Sequence, residues 1–167
     1  MSIKYVKGDA VQALLAGEVD FLIHCCNNKG VMRSGIAKQI KTKIPEAYTA
    51  YKKMFNIDPS HRMGGTSLGG KVINIIGQDS YGYGSKRYGH YGYIAQGLAS
   101  VSFEIHNYVD CYDNALADRY YNNEVKLAIP YKFASDRAGC DWNIILELIE
   151  GILAPEFDIV IYHLEDL

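Results

Sequence analysis

The chain predicts an α/β fold, a three-layer α/β/α sandwich with a mixed, mostly parallel sheet. Three observations carry this. Short apolar runs alternate with segments of helical period along the whole sequence, the order that buries a sheet between two helix layers. Residues 21–26 are apolar except for His24, as in a strand buried on both faces of a parallel sheet. Ile94, Leu98, Val101, Ile105, Tyr108 and Val109 recur at helical spacing and form a stripe that faces a core.

Taken in order, residues 3–7 alternate apolar and polar side chains and read as a first strand, stopped by Gly8. Asp9 then stands where a helix N-cap would be, ahead of a short helix over 10–15. After the strand at 21–26, residues 27–34 supply turn formers and 35–43 resume as a helix. Such a strand, loop and helix unit places the loop at the carboxyl end of its strand, where backbone amides and the helix N-terminus attract phosphate. Pro45 reads as the first position of a third helix, to residue 55.

Residues 56–65 are turn-rich. Residues 65–72 nearly match a Walker A phosphate loop, but Val72 stands where a Mg²⁺-binding hydroxyl is needed, and a strand over 72–76 follows instead of a helix. A plain strand connection is expected there. Residues 77–93 are rich in glycine and tyrosine, which suits either a flap over a ligand or a variable surface loop. The helix over 94–109 carries His106 on its surface or at its core edge, and 110–123 is polar connection, with some helix as the alternative. A strand over 125–129 ends at Pro130, and a second loop over 131–141 leads into a helix over 142–153. Asp141 is its N-cap, and Ile145, Leu148, Ile149 and Ile152 are its apolar face. Pro155 follows that helix, and 158–163 is a last strand.

At 167 residues the chain is long enough for one domain with a substantial core. With 49% hydrophobic and 22% charged residues it is not expected to be disordered. A net charge of −2 argues against bulk nucleic-acid binding and leaves a single nucleotide open. Two of the four cysteines are adjacent in a strand and none forms a Cys-x-x-Cys pair, so reduced thiols in a cytoplasmic protein are expected. The N-terminus has no apolar signal core and no run reaches the ~18 apolar residues of a membrane span, so no membrane partner is expected.

His24-Cys25-Cys26-Asn27, the loop from Gly30 to Gly35 and Gly35-Ile36-Ala37 resemble the ADP-ribose-binding signature of macrodomains. The resemblance is to the branch containing ADP-ribose-1″-phosphate phosphatases and ADP-ribosyl-glutamate hydrolases. Gly8-Asp9 after the first strand, Gly77-Gln78-Asp79, and Ile129-Pro130-Tyr131 followed by Ala138-Gly139-Cys140-Asp141-Trp142 extend it along nearly the whole chain. It implies the macrodomain fold over residues 1–167, and ADP-ribose or a derivative as ligand, with ADP-ribosylated protein as a further candidate partner. The resemblance also implies that Asp9 accepts a hydrogen bond from adenine. The ligand would further be held by Asn27, Gly30, Val31, Met32, Ser34, Gly35 and Ile36 around the first loop. Gln78 and Tyr81 would contribute after the middle strand, and Ser135, Arg137, Ala138 and Gly139 from the second loop.

For chemistry at a bound phosphate or glycosidic ester, the chain offers His24, Asp136 and Asp141, all expected near the carboxyl edge of the sheet. His24 resembles the histidine of the yeast-type phosphatases, and a buried, hydrogen-bonded histidine is the alternative. Asp136 is either the catalytic acid or a partner of Arg137 or Lys132. It is favoured over Asp141, which has a capping role available. Many relatives carry Gly-Cys-Gly-Leu where Ala134-Ser135-Asp136-Arg137 stand. The branch's glutamate hydrolases use a lysine where this chain has Gln78 and Asp79. Neither the histidines nor the cysteines have metal-ligand spacing, and the resemblance implies no metal or cofactor. The expected functions are hydrolysis of ADP-ribose-1″-phosphate, non-catalytic reading or sequestering of ADP-ribose-type nucleotides, or removal of mono-ADP-ribose from protein.

Overall fold

The computed structural model describes residues 3–82, 84 and 86–167. The strands are β1 (Ile3–Lys7), β2 (Phe21–Asn27), β3 (Thr66–Gly69), β4 (Val72–Gln78), β5 (Lys126–Pro130) and β6 (Asp158–His163). The helices are α1 (Ala10–Leu15), α2 (Gly35–Lys43), α3 (Pro45–Lys53), α4 (Tyr91–Tyr112), α5 (Asn114–Tyr121) and α6 (Trp142–Ile152). The strands form one sheet in the order β1-β6-β5-β2-β4-β3, in which only β3 runs antiparallel to its neighbour.

Strand alternation divides the core between the two faces of this sheet. Phe21 and Ile23 of β2, Ile73 and Ile75 of β4, and Ile159 and Ile161 of β6 point to one face, where α4, α5 and α6 cover them. Leu22, Val72 and Ala128 point to the other, against α1, α2 and α3. The mixed sheet and three layers expected from the sequence are therefore present.

Two elements differ from the sequence expectation. Residues 66–69 form the edge strand β3, joined to β4 by a tight hairpin. Gly70 (φ 57°) and Lys71 (φ 62°) both take the left-handed conformation that a two-residue turn of this hand requires. This also explains the near-match to a Walker A loop: the glycines and lysine build a hairpin turn. The second is α5, within the stretch read as connection with some helix as the alternative. Asp113 caps it through the Leu116 amide at 3.1 Å, and Arg119 ties it to Asp20 at 2.6 Å. Only Leu116 of that helix is fully buried, so its apolar period is faint. The helix expected over 45–55 ends at Lys53 and continues as a 3₁₀ turn, Met54–Asn56, and α4 extends beyond both ends of the expected 94–109. Among the described residues no helix is long and apolar enough to cross a membrane.

Candidate functional site

β2 and β5 are neighbours, yet the chain leaves β2 for α2 on one face of the sheet and leaves β5 for α6 on the other. Where connections diverge in this way the carboxyl ends of the strands open a crevice. Here it is a cleft of about 610 Å³. The first loop and the start of α2 form one wall and the second loop forms the other. Gln78, the last residue of β4, and Tyr81 beyond it bound one end, and Leu164, following β6, bounds the opposite end.

The first loop is held from within. The Asn27 side chain donates to the Val31 carbonyl (2.8 Å) and accepts from the Lys29 amide (3.0 Å). The Tyr51 hydroxyl, buried on α3, shares its proton between the Asn27 carbonyl (2.6 Å) and side-chain oxygen (2.9 Å), and accepts from the Val31 amide (3.1 Å). Burial, first of all, pushes the Tyr51 phenol well above its ordinary pKa. Asn27 thus lines the cleft while its amide is spent on shaping the loop, and Val31, Met32, Ser34, Gly35 and Ile36 line the cleft beside it. Gly30 does not. Its φ of +76° makes the turn, and a Cβ there would meet the Lys52 ammonium at 2.8 Å. Gly35 (φ +56°) has nothing within 4 Å of a would-be Cβ, so its backbone faces open space.

The second loop turns through Lys132 (φ 60°) and Ala134 (φ 59°). Asp136, Arg137 and Ala138 line the cleft, whereas Ser135 bonds back to the Phe133 carbonyl (3.2 Å) and Gly139 packs against the Arg87 backbone. The amides of Tyr88 and Gly89 both donate to the Ala138 carbonyl at 2.8 Å, which staples the glycine/tyrosine segment to this loop. Of that segment Tyr83 and Ser85 lie outside the described residues. Arg137 donates to the Ser34 hydroxyl at 2.5 Å and so joins the two walls.

His24 lines the cleft in the buried, hydrogen-bonded state given as its alternative, and Asp141 takes its capping role. His24 is 1% exposed, and its Nε2 lies 2.5 Å from the Asn74 side-chain oxygen. The Asn74 amide already donates to the Ala47 carbonyl (3.0 Å) and the Ser67 hydroxyl (3.1 Å), so its oxygen is the acceptor and His24 Nε2 carries the proton. Burial lowers its pKa to about 4, against the hydrogen bond to Asn74, and leaves it neutral near pH 7. Asp141 caps α6 by accepting from the Asn143 amide (2.8 Å) and is not part of the cleft wall. Burial also pushes the Cys25 thiol up to about 12 and Cys26 well above its usual range, which suits inert core thiols.

Asp9 follows β1, next to the end of β6. Its carboxylate accepts from the amides of Val11 (2.8 Å) and Gln12 (3.1 Å) and from the Gln39 side chain (2.7 Å). Burial acts to raise its pKa, but these hydrogen bonds and nearby Lys43 outweigh it and the net shift is downward. The sequence reading missed Arg33, Lys132 and Leu164 as cleft residues. All three directly adjoin or follow a strand end or sit in a loop already singled out. Among the described residues no group of His, Cys, Asp or Glu is placed to hold a metal ion.

No family model and no curated protein matches the chain. Solved structures do. A macrodomain protein from Streptomyces coelicolor is 20% identical with a TM-score of 0.67, over 97% of this chain and 99% of that one. The macrodomain of Thermus aquaticus DarG is 20% identical with a TM-score of 0.64, over 97% and 98%. Thermosipho africanus DarTG, solved in complex with ADP-ribose, is 18% identical with a TM-score of 0.63, over 97% of this chain and 41% of that one. What is shared at these identities is the fold.

Proposed function

This chain has the macrodomain fold, and from that premise we propose that its cleft binds ADP-ribose or an ADP-ribose derivative. The observation that carries the reading is the charge of the cleft in a chain that is net negative. Arg33, Lys132 and Arg137 line it against one carboxylate, Asp136, and His24 is neutral. With the α2 N-terminus in the same wall, a diphosphate between the two loops meets cations, backbone amides and the positive end of a helix dipole. The structure of Thermosipho DarTG with ADP-ribose supports the ligand class.

Asp9 is not among the residues lining the cleft but adjoins its Leu164 end, where the Gly8 amide bonds the His163 carbonyl at 2.9 Å, and the adenine goes there. A carboxylate has about four acceptor positions, and Asp9 uses three, so an adenine amino group can take the remaining one. The distal ribose then lies toward Asn27 and Gln78.

Calorimetric titration with ADP-ribose and with adenosine tests this on the wild-type protein and on Gly35→Val. A valine there meets no protein atom, strains the φ +56° backbone and stands where the phosphates approach, so affinity for ADP-ribose falls far more than affinity for adenosine. Absence of ADP-ribose binding by the wild-type protein overturns the reading, and equal losses for both ligands remove the loop as the phosphate cradle.

Hydrolysis is the second reading, favoured by the exposed Asp136 carboxylate in the cleft wall. With the His24 proton held by Asn74, acid–base work falls to Asp136 acting on a bound water. That water gives a proton to Asp136 and attacks the 1″-phosphate of ADP-ribose-1″-phosphate, breaking the P–O bond to release phosphate and ADP-ribose, or the ribosyl carbon of a mono-ADP-ribosylated protein, breaking its bond to the protein side chain to release ADP-ribose; the proton passes to the leaving group. Asp136→Asn is expected to lower turnover ~10²-fold or more with binding retained, and Asp141→Asn to leave it unchanged. Tight binding of both substrates with no product identifies a non-catalytic reader of ADP-ribose.

A further inference from the structure

The contact between Arg137 and Ser34 joins the two walls of the cleft at the residue that precedes α2. Its two partners come from separate elements, the second loop and the residue preceding α2. Ser34 occupies the N-cap position of α2 with extended backbone, φ −150° and ψ 164°, but its side chain makes no capping hydrogen bond. A serine in that position ordinarily accepts from an amide of the first helical turn. Here the hydroxyl is turned to the guanidinium instead, so the first-turn amides of α2 lack the oxygen that would cap them.

We propose that this hydrogen bond is a latch across the cleft. A ligand diphosphate opens it by taking the Arg137 guanidinium away from Ser34, and Arg137 thereby becomes the residue that selects diphosphate ligands over nucleosides. This rests on the ADP-ribose reading above. The preference follows from hydrogen-bond strength. Arg137 gives up a neutral hydroxyl acceptor and gains a charged phosphate, to which guanidinium bonds are roughly twice as strong and commonly bidentate. The released Ser34 hydroxyl is then able to cap α2. Adenosine offers no anion, so the latch stays closed over it.

The test uses the full chain and three variants, Arg137→Gln, Arg137→Lys and Ser34→Ala, titrated by calorimetry with ADP-ribose, adenosine and inorganic pyrophosphate. Thermal unfolding of each variant confirms the fold. Arg137→Gln is expected to weaken ADP-ribose and pyrophosphate roughly tenfold or more, the scale of a charge-assisted hydrogen bond, and to leave adenosine unchanged. Arg137→Lys keeps the charge without the fork and loses less. Ser34→Ala removes the closed state but not the cation, so ADP-ribose binds it as tightly as wild type or a few-fold tighter.

Undiminished ADP-ribose affinity in Arg137→Gln overturns the proposal, because the arginine would then only obstruct. A loss in Ser34→Ala equal to that in Arg137→Gln also overturns it, since the pair would then act together in the bound state. If wild type fails to bind ADP-ribose but binds pyrophosphate in an Arg137-dependent way, the latch stands and the ADP-ribose reading falls. If it binds neither, both fall.

Discussion

Ala134 carries a cost that its neighbours do not relieve. It holds φ 59° in the second loop, where many proteins of the resembling family have glycine. A left-handed conformation costs a residue with a Cβ roughly 1–2 kcal/mol, and glycine's greater freedom in the unfolded chain returns about 0.4–1 kcal/mol of that. Ala134→Gly is therefore expected to stabilise the protein by about 0.5–1 kcal/mol, read as a higher midpoint in chemical denaturation. A lower midpoint would show that the Ala134 methyl, which is buried at the cleft, contributes more by packing than its backbone loses. At Asp9 the sequence permitted a cap and a ligand contact together, and the structure shows the cap, with Gln39 as a further partner that spacing alone could not reveal.

At the scale of elements, the first loop depends on a residue outside it. Tyr51 sits on α3 and reaches back 24 positions to Asn27. Tyr51→Phe takes the hydroxyl from the Asn27 carbonyl and leaves the Val31 amide with its long 3.4 Å hydrogen bond to the Asn27 side-chain oxygen. The expected loss is about 1–3 kcal/mol of stability, the usual cost of an unsatisfied buried group, together with weaker ADP-ribose binding as the loop loosens. Denaturation and calorimetry on the same preparation check both; unchanged stability would mean that solvent replaces the hydroxyl. The loops and their flanking elements were legible in the sequence because turn formers and N-caps are local signals. β3 and α5 were not. One is an edge strand whose four residues are only half-buried, and the other buries a single leucine, so neither carries a strong period.

For the molecule as a whole, His24 couples stability to pH. Its folded pKa of about 4 lies below the ordinary value of 6.5, so on acidification the unfolded chain takes up the proton first. The stability linked to neutral His24 is complete above about pH 6.5 and is lost as pH falls toward about 4, a total of roughly 3 kcal/mol. Asp9 acts in a separate, lower window, because its folded pKa is below 3.8 and its contribution disappears only as pH falls through that lower value. His24→Gln should flatten the slope between pH 6.5 and 4 whatever its effect on baseline stability; an unchanged slope would assign the acid sensitivity to other groups. The sequence by itself determined the strand and helix alternation, the three layers, and the two loops at one edge of the sheet, since these follow from local period, turn chemistry and chain order. Only the tertiary structure decided which residues of those loops face the cleft and how His24 is used. Burial and hydrogen-bond partnership arise between segments far apart in the chain: Asn74, fifty positions from His24, fixes its tautomer, and Ser34 meets Arg137 across 103 positions.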